Sequence, residues 1–140
     1  LEEMVEPMNT IYACEDFLIA DEYVDVVRKS GLNRPIQDRP RIERMLKHSN
    51  LHVTARQDGR LVGFARSLTD FSFCCYLSDL AVDKACQGQG IGKRLIEETR
   101  AAAGGARTTT LLLSAPTAMT FYQGIKMPHA DNCFLYRRSQ

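Results

Sequence analysis

The sequence of 140 residues lacks three features that would each indicate a class of protein. No apolar run approaches the roughly 20 residues that span a bilayer, and the opening LEEMVEPMNT lacks the basic-then-apolar order of a signal peptide. Lysine and arginine number 18 against 17 acidic residues, so the formal net charge is only +1. That balance gives no electrostatic case for nucleic acid or an anionic membrane as a partner. We therefore expect a cytoplasmic protein with neither partner. Residues 1–9 are expected to form a flexible or trimmed N-terminus.

Metal-binding and disulfide patterns are also missing. The five cysteines are odd in number and show no C-x-x-C or zinc-finger spacing. His48, His52 and His129 form no local pair of ligands, so we expect reduced thiols and no metal. Cys74 and Cys75 adjoin on a predicted strand, where neighbours point to opposite faces, and no histidine lies close in sequence to activate either. Core packing is therefore favoured over a covalent nucleophile for this pair.

Alternating strand and helix signals predict one domain over residues 1–140, without repeats or a linker. Apolar periodicity and turn residues mark each element, and Asp58-Gly59 is typical of a hairpin turn. The predicted fold class is α/β of the α+β type, with a mixed, mostly antiparallel sheet flanked by helices in the order β-α-α-β-β-β-α-β-α-β. The sheet is expected to be antiparallel at first and parallel where a crossover helix joins residues 71–82 to residues 108–114. Strands are predicted at 10–13, 51–57, 60–67, 71–82, 108–114 and 132–138, and helices at 20–30, 38–47, 90–103 and 115–122.

The segment CQGQGIGKRLIEETR, residues 86–100, combines a glycine-rich turn with the start of a helix. Free backbone N–H groups at a helix start bind anions, and glycines let a phosphate approach the backbone. Lys93 and Arg94 lie at the helix end that prefers negative charge, which is unfavourable unless an anion binds there. The segment therefore predicts a phosphate site.

Three phosphate-binding motifs compete for this segment. The P-loop G-x-x-x-x-G-K-[ST] fails because Gln87 replaces its first glycine and Arg94 its hydroxyl residue. The dinucleotide fingerprint G-x-G-x-x-G fails because Lys93 stands at its last glycine. The pattern [RQ]-x-x-G-x-[GA] fits residues 87–92, QGQGIG, without a mismatch.

That pattern resembles the acyl-CoA-binding motif of the GNAT superfamily of N-acyltransferases, and residues 80–96 resemble the family's strand–loop–helix segment. The stretch AMTFY, residues 118–122, is similar to the family's A-x-x-F-Y element. The element order also matches, so the resemblance covers most of residues 10–138 and implies a GNAT-like sheet. One departure is the turn after the tyrosine, where Lys126-Met127 replaces the family's Gly-Phe.

The resemblance implies acetyl-CoA as cosubstrate, no metal, and a primary amine of a small molecule or peptide as acceptor. The amine would attack the thioester directly in a ternary complex. Backbone N–H groups of residues 87–93 would hold the pyrophosphate. Residues 80–82 would pair by their backbone with the pantetheine arm, beside a gap between two central strands. The implied cofactor-binding residues are Leu80, Ala81, Val82, Gln87, Gly88, Gln89, Gly90, Ile91, Gly92, Lys93, Ser114, Ala118 and Phe121.

Two residues are candidates for catalysis. Tyr122 matches the family's proton donor to the departing thiolate, and a backbone N–H around Leu80 would stabilise the developing oxyanion. Asp79, near the end of the central strand, is a candidate base. Its alternatives are a loop cap or an ion pair with an arginine, and water could relay the proton instead.

Two other functions stay open from the sequence. One is a non-catalytic module of the same fold that binds or senses acyl-CoA. The other is a nucleotide-binding protein that uses the same loop. A homodimer also stays open.

Overall fold

Five strands and four helices alternate along residues 9–140, the part of the chain that the computed structural model describes. The expectation for residues 1–9 therefore lies outside the described residues except at its last position. Short 3₁₀ turns join several elements. The elements are β1 (Thr10–Glu15), α1 (Ala20–Ser30), α2 (Arg39–His48), β2 (Leu51–Gln57), β3 (Arg60–Thr69), β4 (Cys74–Val82), α3 (Ile91–Ala102), β5 (Thr109–Leu111) and α4 (Met119–Gly124).

The strands form one sheet in sequence order, β1-β2-β3-β4-β5. The first three pairings are antiparallel, and β4 pairs with β5 in parallel. Asp58 and Gly59 both have positive φ, 52° and 79°, as a two-residue hairpin turn requires. The mixed sheet and its single parallel pair confirm the predicted fold class.

The helices of the first half begin and end where the sequence places their caps. The α1 helix stops at Gly31, whose φ is 80° and whose N–H donates to the carbonyl of Val27. The Asp38 carboxylate caps α2 by accepting the N–H of Arg41 at 3.2 Å. Both predicted helices are confirmed to within a residue at each end.

Two apolar clusters cover the two faces of the sheet. One joins β2, β3 and the first half of β4 to α3, with Val53, Leu77 and Leu95 among its members. The other joins β3 and the end of β4 to α1 and α2, and Phe64 and Tyr23 lie in it. The sheet is therefore packed between α3 on one side and the α1–α2 pair on the other.

A β-bulge at Ser78 divides β4 into two halves. In β3, Ser67 pairs with Leu77 and its neighbour Arg66 pairs with Asp79. Ser78 is therefore an extra residue in β4 without a partner opposite it in β3. Before the bulge the odd-numbered side chains face α3, as Leu77 does. After it they face the α1–α2 pair, where Asp79 bonds to Tyr23. The bulge thus determines which side chains of the second half of β4 lie on each face of the sheet.

The last three predicted strands differ from the structure. The fourth begins at residue 74 rather than 71, because the Asp70 carboxylate accepts the N–H groups of residues 72–74 at 2.8–3.1 Å and turns the chain. The predicted sixth strand over 132–138 is wrong, since these residues join no strand and the side chain of Phe134 is 99% exposed. Strand propensity depends on a neighbouring edge, and β5 offers only three residues, 109–111, instead of the predicted 108–114.

Candidate functional site

The pairing of the parallel strands β4 and β5 covers only the first part of β4. Their pairing ends at Tyr76 opposite Leu111, while β4 continues to Val82. In the described chain, residues 77–82 therefore have a strand partner only on the β3 side. The predicted segment Leu80–Val82 lies on this free edge, and Ser114 lies beyond the end of β5 before Pro116. The free edge of Leu80–Val82 therefore lies where the resemblance implies a gap between two central strands.

The glycine loop between β4 and α3 has an open, left-handed backbone. Gly88 and Gly90 have φ values of 84° and 78°, which side-chain-bearing residues rarely adopt. A Cβ atom at either position would have no atom of the described part of the chain within 4 Å. These positions need glycine for their backbone conformation and leave space on the outer side of the loop.

No side chain among residues 9–140 caps the start of α3. Gly90 is the N-cap residue, and the first helical hydrogen bond runs from the N–H of Arg94 to its carbonyl at 3.1 Å. The N–H groups of Ile91, Gly92 and Lys93 precede this bond, as do all first-turn donors of a helix. Three donors beside an open loop make a backbone cradle suited to an anionic group such as a pyrophosphate.

The side chains of Gln87 and Gln89 in this loop bond to the protein itself. The Gln87 side-chain amide donates to the carbonyl of Val82 at 3.1 Å, and Gln89 accepts from Gln57 at 3.1 Å. Asp83 accepts the N–H of Ala85 at 2.9 Å. The loop is therefore tied to the sheet at its start and middle, which leaves its backbone to face an anion.

The two cations after the loop differ in their surroundings. The Arg94 guanidinium bonds to Glu98 at 2.8 Å and lies 4.9 Å from the centre of the Tyr12 ring, so it points along the helix. The interpretation that it awaits an anion does not fit this position. Lys93 lies 3.9 Å from Glu97, and both side chains are more than half exposed. Such a pair contributes little, so Lys93 can turn toward the loop.

The α4 helix brings the aromatic pair Phe121-Tyr122 against the same loop. The tip of the Phe121 ring lies 2.9 Å from where a Cβ on Gly92 would stand, so the ring covers the first turn of α3. Tyr122 packs edge-on against Phe121, with ring centroids 5.0 Å apart, and is partly buried beside the α3-side cluster. Burial raises the pKa of the Tyr122 phenol, and the nearby Arg34 guanidinium partly offsets this rise. The phenol therefore carries its proton at neutral pH.

The turn after α4 forms without the expected glycine. Lys126 has φ 60°, its N–H donates to Gln123 at 3.0 Å, and the N–H of Met127 donates to Tyr122 at 3.1 Å. These two bonds are those of a Schellman motif, in which glycine is usual at the left-handed position. The replacement of Gly-Phe by Lys126-Met127 therefore keeps the helix end that holds Tyr122.

Asp79 lies inside an ion-pair cluster. Its side chain is fully buried, and its two oxygens accept from Arg34 Nε at 2.6 Å, Arg66 Nε at 2.6 Å and the Tyr23 hydroxyl at 2.7 Å. Burial alone would raise the pKa of this carboxyl, but Arg66, Arg34 and Tyr23 together lower it. The arginine ion pair, one of the sequence's alternatives for Asp79, is the arrangement that the structure contains.

Sequence reasoning did not find Arg34, Arg66 or Tyr23. Arg34 is 45 residues from Asp79 and Tyr23 is 56 residues from it. Neither belongs to a motif, and only the packing of α1 on the sheet brings them together. An arginine in the short α1–α2 connection and a buried carboxylate in need of partners were the available clues.

No group of three or more His, Cys, Asp or Glu side chains among residues 9–140 could hold a metal ion. No helix in that range is long and apolar enough to cross a membrane.

Comparisons with known proteins agree with this geometry. Residues 25–125 match the family model described as an acetyltransferase (GNAT) domain, so the chain belongs to the GNAT acetyltransferase family. It is 31% identical over 94 residues to serotonin N-acetyltransferase 2, chloroplastic, of Oryza sativa subsp. japonica, a match that covers 64% of this chain and 47% of that protein. It is also 31% identical over 100 residues to an uncharacterised N-acetyltransferase, ycf52, of Porphyra purpurea, covering 66% and 54%. The chain thus spans about half the length of these relatives.

Solved structures share the fold at low sequence identity. A GNAT-family acetyltransferase of Streptococcus pneumoniae TIGR4 superposes with a TM-score of 0.71 at 17% identity, covering 94% of this chain and all of that one. The aminoglycoside N-acetyltransferase AAC(6')-Iy, solved in complex with CoA, gives a TM-score of 0.70 at 14% identity and covers 98% and 99%. These likenesses establish the GNAT fold.

Proposed function

We propose that the protein transfers an acetyl group from acetyl-CoA to a primary amine of a small molecule or peptide. The observation that carries this proposal is the uncapped start of α3 beside an open glycine loop, next to the part of β4 that does not pair with β5. A cradle for a diphosphate next to a free strand edge suits coenzyme A, whose pyrophosphate and amide-containing arm need those two features. Family membership supports the same conclusion.

The proposed cofactor contacts divide between loop and strand. Backbone N–H groups from Gln87 to Lys93 would bind the pyrophosphate, and the free edge of Leu80–Val82 would pair with the pantetheine arm. Ser114 would lie across the gap. Ala118, at the N-terminus of α4, and Phe121, over Gly92, would close the side of the site next to α4.

The proposed reaction is direct attack of a neutral amine on the thioester carbonyl. A C–N bond forms and the C–S bond breaks, so the product is an amide and a CoA thiolate. Tyr122 would give its phenolic proton to that thiolate, and it is protonated at neutral pH because burial raises its pKa. A backbone N–H near Leu80 would stabilise the oxyanion.

We further propose that water, rather than Asp79, carries away the proton that the amine loses. Both oxygens of Asp79 already accept strong hydrogen bonds from Arg34 and Arg66. Its pKa is lowered by those partners after burial has opposed them, which makes the carboxylate a weaker base. The ammonium form of the acceptor has a solution pKa of about 10.4. To lose its proton it needs a stronger base than the Asp79 carboxylate, or a route to bulk water.

The binding part of the proposal is tested with Gly90→Val and its matched control Gly105→Val. Both glycines have positive φ, 78° and 63°, and open space around a new Cβ, so the backbone strain is similar. Gly105 follows α3, a helix of twelve residues or about 18 Å. We expect Gly90→Val to weaken CoA binding by about tenfold or more, because relief of about 1–2 kcal/mol of left-handed strain would displace the loop backbone that binds the phosphate. Gly105→Val has similar strain at the other end of α3 and should leave CoA binding unchanged. Equal affinities in calorimetric titration would contradict the proposed site.

The catalytic part is tested with Tyr122→Phe. Thiol release from acetyl-CoA is followed over a panel of small and peptide amines. We expect turnover with at least one amine, and a fall of about 10²-fold or more in kcat for the variant, in the range usual for a proton donor.

CoA binding without turnover on any amine would favour the non-catalytic module instead. Tight ATP or NAD binding that CoA does not displace would favour the nucleotide-binding alternative.

A further inference from the structure

The bulge at Ser78 lies immediately before the part of β4 that has a free edge. The last residue of β4 that pairs with β5 is Tyr76, and the extra residue follows two positions later, between Leu77 and Asp79. A bulge bends its strand and increases its local twist. The direction of Leu80–Val82 therefore depends on how firmly the bulge is held.

Arg34 holds the backbone of the bulge from the α1–α2 connection. Its Nη2 donates to the carbonyl of Ser78 at 2.7 Å and its Nε to Asp79 Oδ1 at 2.6 Å. Its Nη1 donates to the carbonyl of Asn33 at 2.7 Å, which fixes the arginine to its own loop. All three nitrogens are thus engaged, and the side chain is only 21% exposed.

Arg66 and Tyr23 hold the other side of the same bulge. Arg66 Nε and the Tyr23 hydroxyl bind Asp79 Oδ2, and Arg66 Nη2 lies 3.2 Å from Ser78 Oγ. These two side chains are buried in the sheet and α1. Arg34 differs from Arg66 and Tyr23 in two ways: it donates to the carbonyl of Ser78, and it lies in a loop.

We propose that Arg34 is a positioning residue for cofactor binding: by clamping the Ser78 carbonyl and Asp79, it fixes the bulge and so aims the free edge of Leu80–Val82 at the cofactor arm. The clamp needs a planar fork that donates in two directions, which a guanidinium has and an ammonium lacks. This inference rests on the proposed function for its cofactor, but its effect on the strand can be measured without any ligand.

The test compares the variants Arg34→Gln and Arg34→Lys with the control Asp38→Ala. Asp38→Ala removes the cap of α2, so it loosens the same connection without touching β4. We expect Arg34→Gln to weaken CoA binding about tenfold, the ratio for one hydrogen bond from a charged group. Arg34→Lys should recover part of that loss, and Asp38→Ala should lower Tm without changing CoA affinity.

Amide hydrogen exchange of residues 77–82, measured without CoA, provides the second readout. We expect faster exchange there in Arg34→Gln than in the wild type or in Asp38→Ala. Wild-type CoA affinity in Arg34→Gln would overturn the positioning role even if the protein acetylates amines. If the wild-type protein binds no CoA, the proposed function fails, and unchanged exchange in Arg34→Gln would then overturn the clamp independently.

Discussion

At the scale of single residues, Lys126 occupies a position that favours glycine. Its φ of 60° is stabilised by the two backbone bonds that end α4, and the lysine itself contributes strain of about 1 kcal/mol relative to glycine. The family's usual glycine at this turn is therefore a matter of stability, since the turn forms with lysine as well.

We predict that Lys126→Gly raises the free energy of unfolding by about 1 kcal/mol, because it removes this left-handed strain. The control is Lys47→Gly in the last turn of α2, where a glycine should lower stability by about 1 kcal/mol. Urea denaturation of both variants measures the difference. A loss of stability in Lys126→Gly would show that the lysine side chain itself holds the turn.

At the scale of secondary-structure elements, Asp79 connects α1, the α1–α2 connection, β3 and β4 through three donors. Removing its charge leaves two arginines beside a buried amide. A broken buried ion pair costs much more than an exposed one.

We predict that Asp79→Asn lowers the free energy of unfolding by about 3–5 kcal/mol. The matched control Asp25→Asn breaks an exposed pair with Lys29 and should cost about 1 kcal/mol or less. Chemical denaturation checks both values. Wild-type stability in Asp79→Asn, together with a loss of turnover, would instead restore Asp79 as the base.

The sequence predicted most elements because their information is local. The α1 helix, the Asp58-Gly59 hairpin and the glycine loop each carry their own caps or turn residues, and all three occur as expected. The sixth strand failed because a strand is completed by a distant edge, which propensity does not describe. In the site, the motif identified the backbone cradle, whereas the partners of Asp79 come from distant parts of the chain.

At the scale of the whole molecule, His52 makes stability depend on pH. Its ring is buried, with Nε2 2.8 Å from the Ser49 hydroxyl and Nδ1 3.3 Å from the carbonyl of Glu15. Burial lowers the pKa of His52, against the opposing effect of backbone acceptors. Below about pH 6.5, His52 is protonated in the unfolded chain while it is still neutral in the folded chain. The free energy of unfolding therefore has its full value above about pH 6.5 and decreases as the pH falls below it.

We predict that the free energy of unfolding decreases between pH 7 and about pH 5, with a slope of up to about 1.4 kcal/mol per pH unit. The carboxyls of Glu15 and Asp79 have lowered pKa values, so their contributions are lost only below about pH 4. His52→Gln should flatten the slope, and His129→Gln, on the exposed C-terminal segment, should retain it. Denaturant titrations across this range measure both slopes, and an unchanged slope in His52→Gln would contradict the assignment.

The bulge at Ser78 also means that the central strand carries one residue more than its packing requires. Without Ser78, Leu77 and Asp79 would follow one another in ordinary alternation, and each would still face the side of the sheet that it faces now. A one-residue deletion inside a core strand normally inverts every side chain that follows. Here it would leave Leu77 and Asp79 on their present faces and remove only the bulge, so deletion of Ser78 would separate the effect of the bulge on strand direction from its effect on packing.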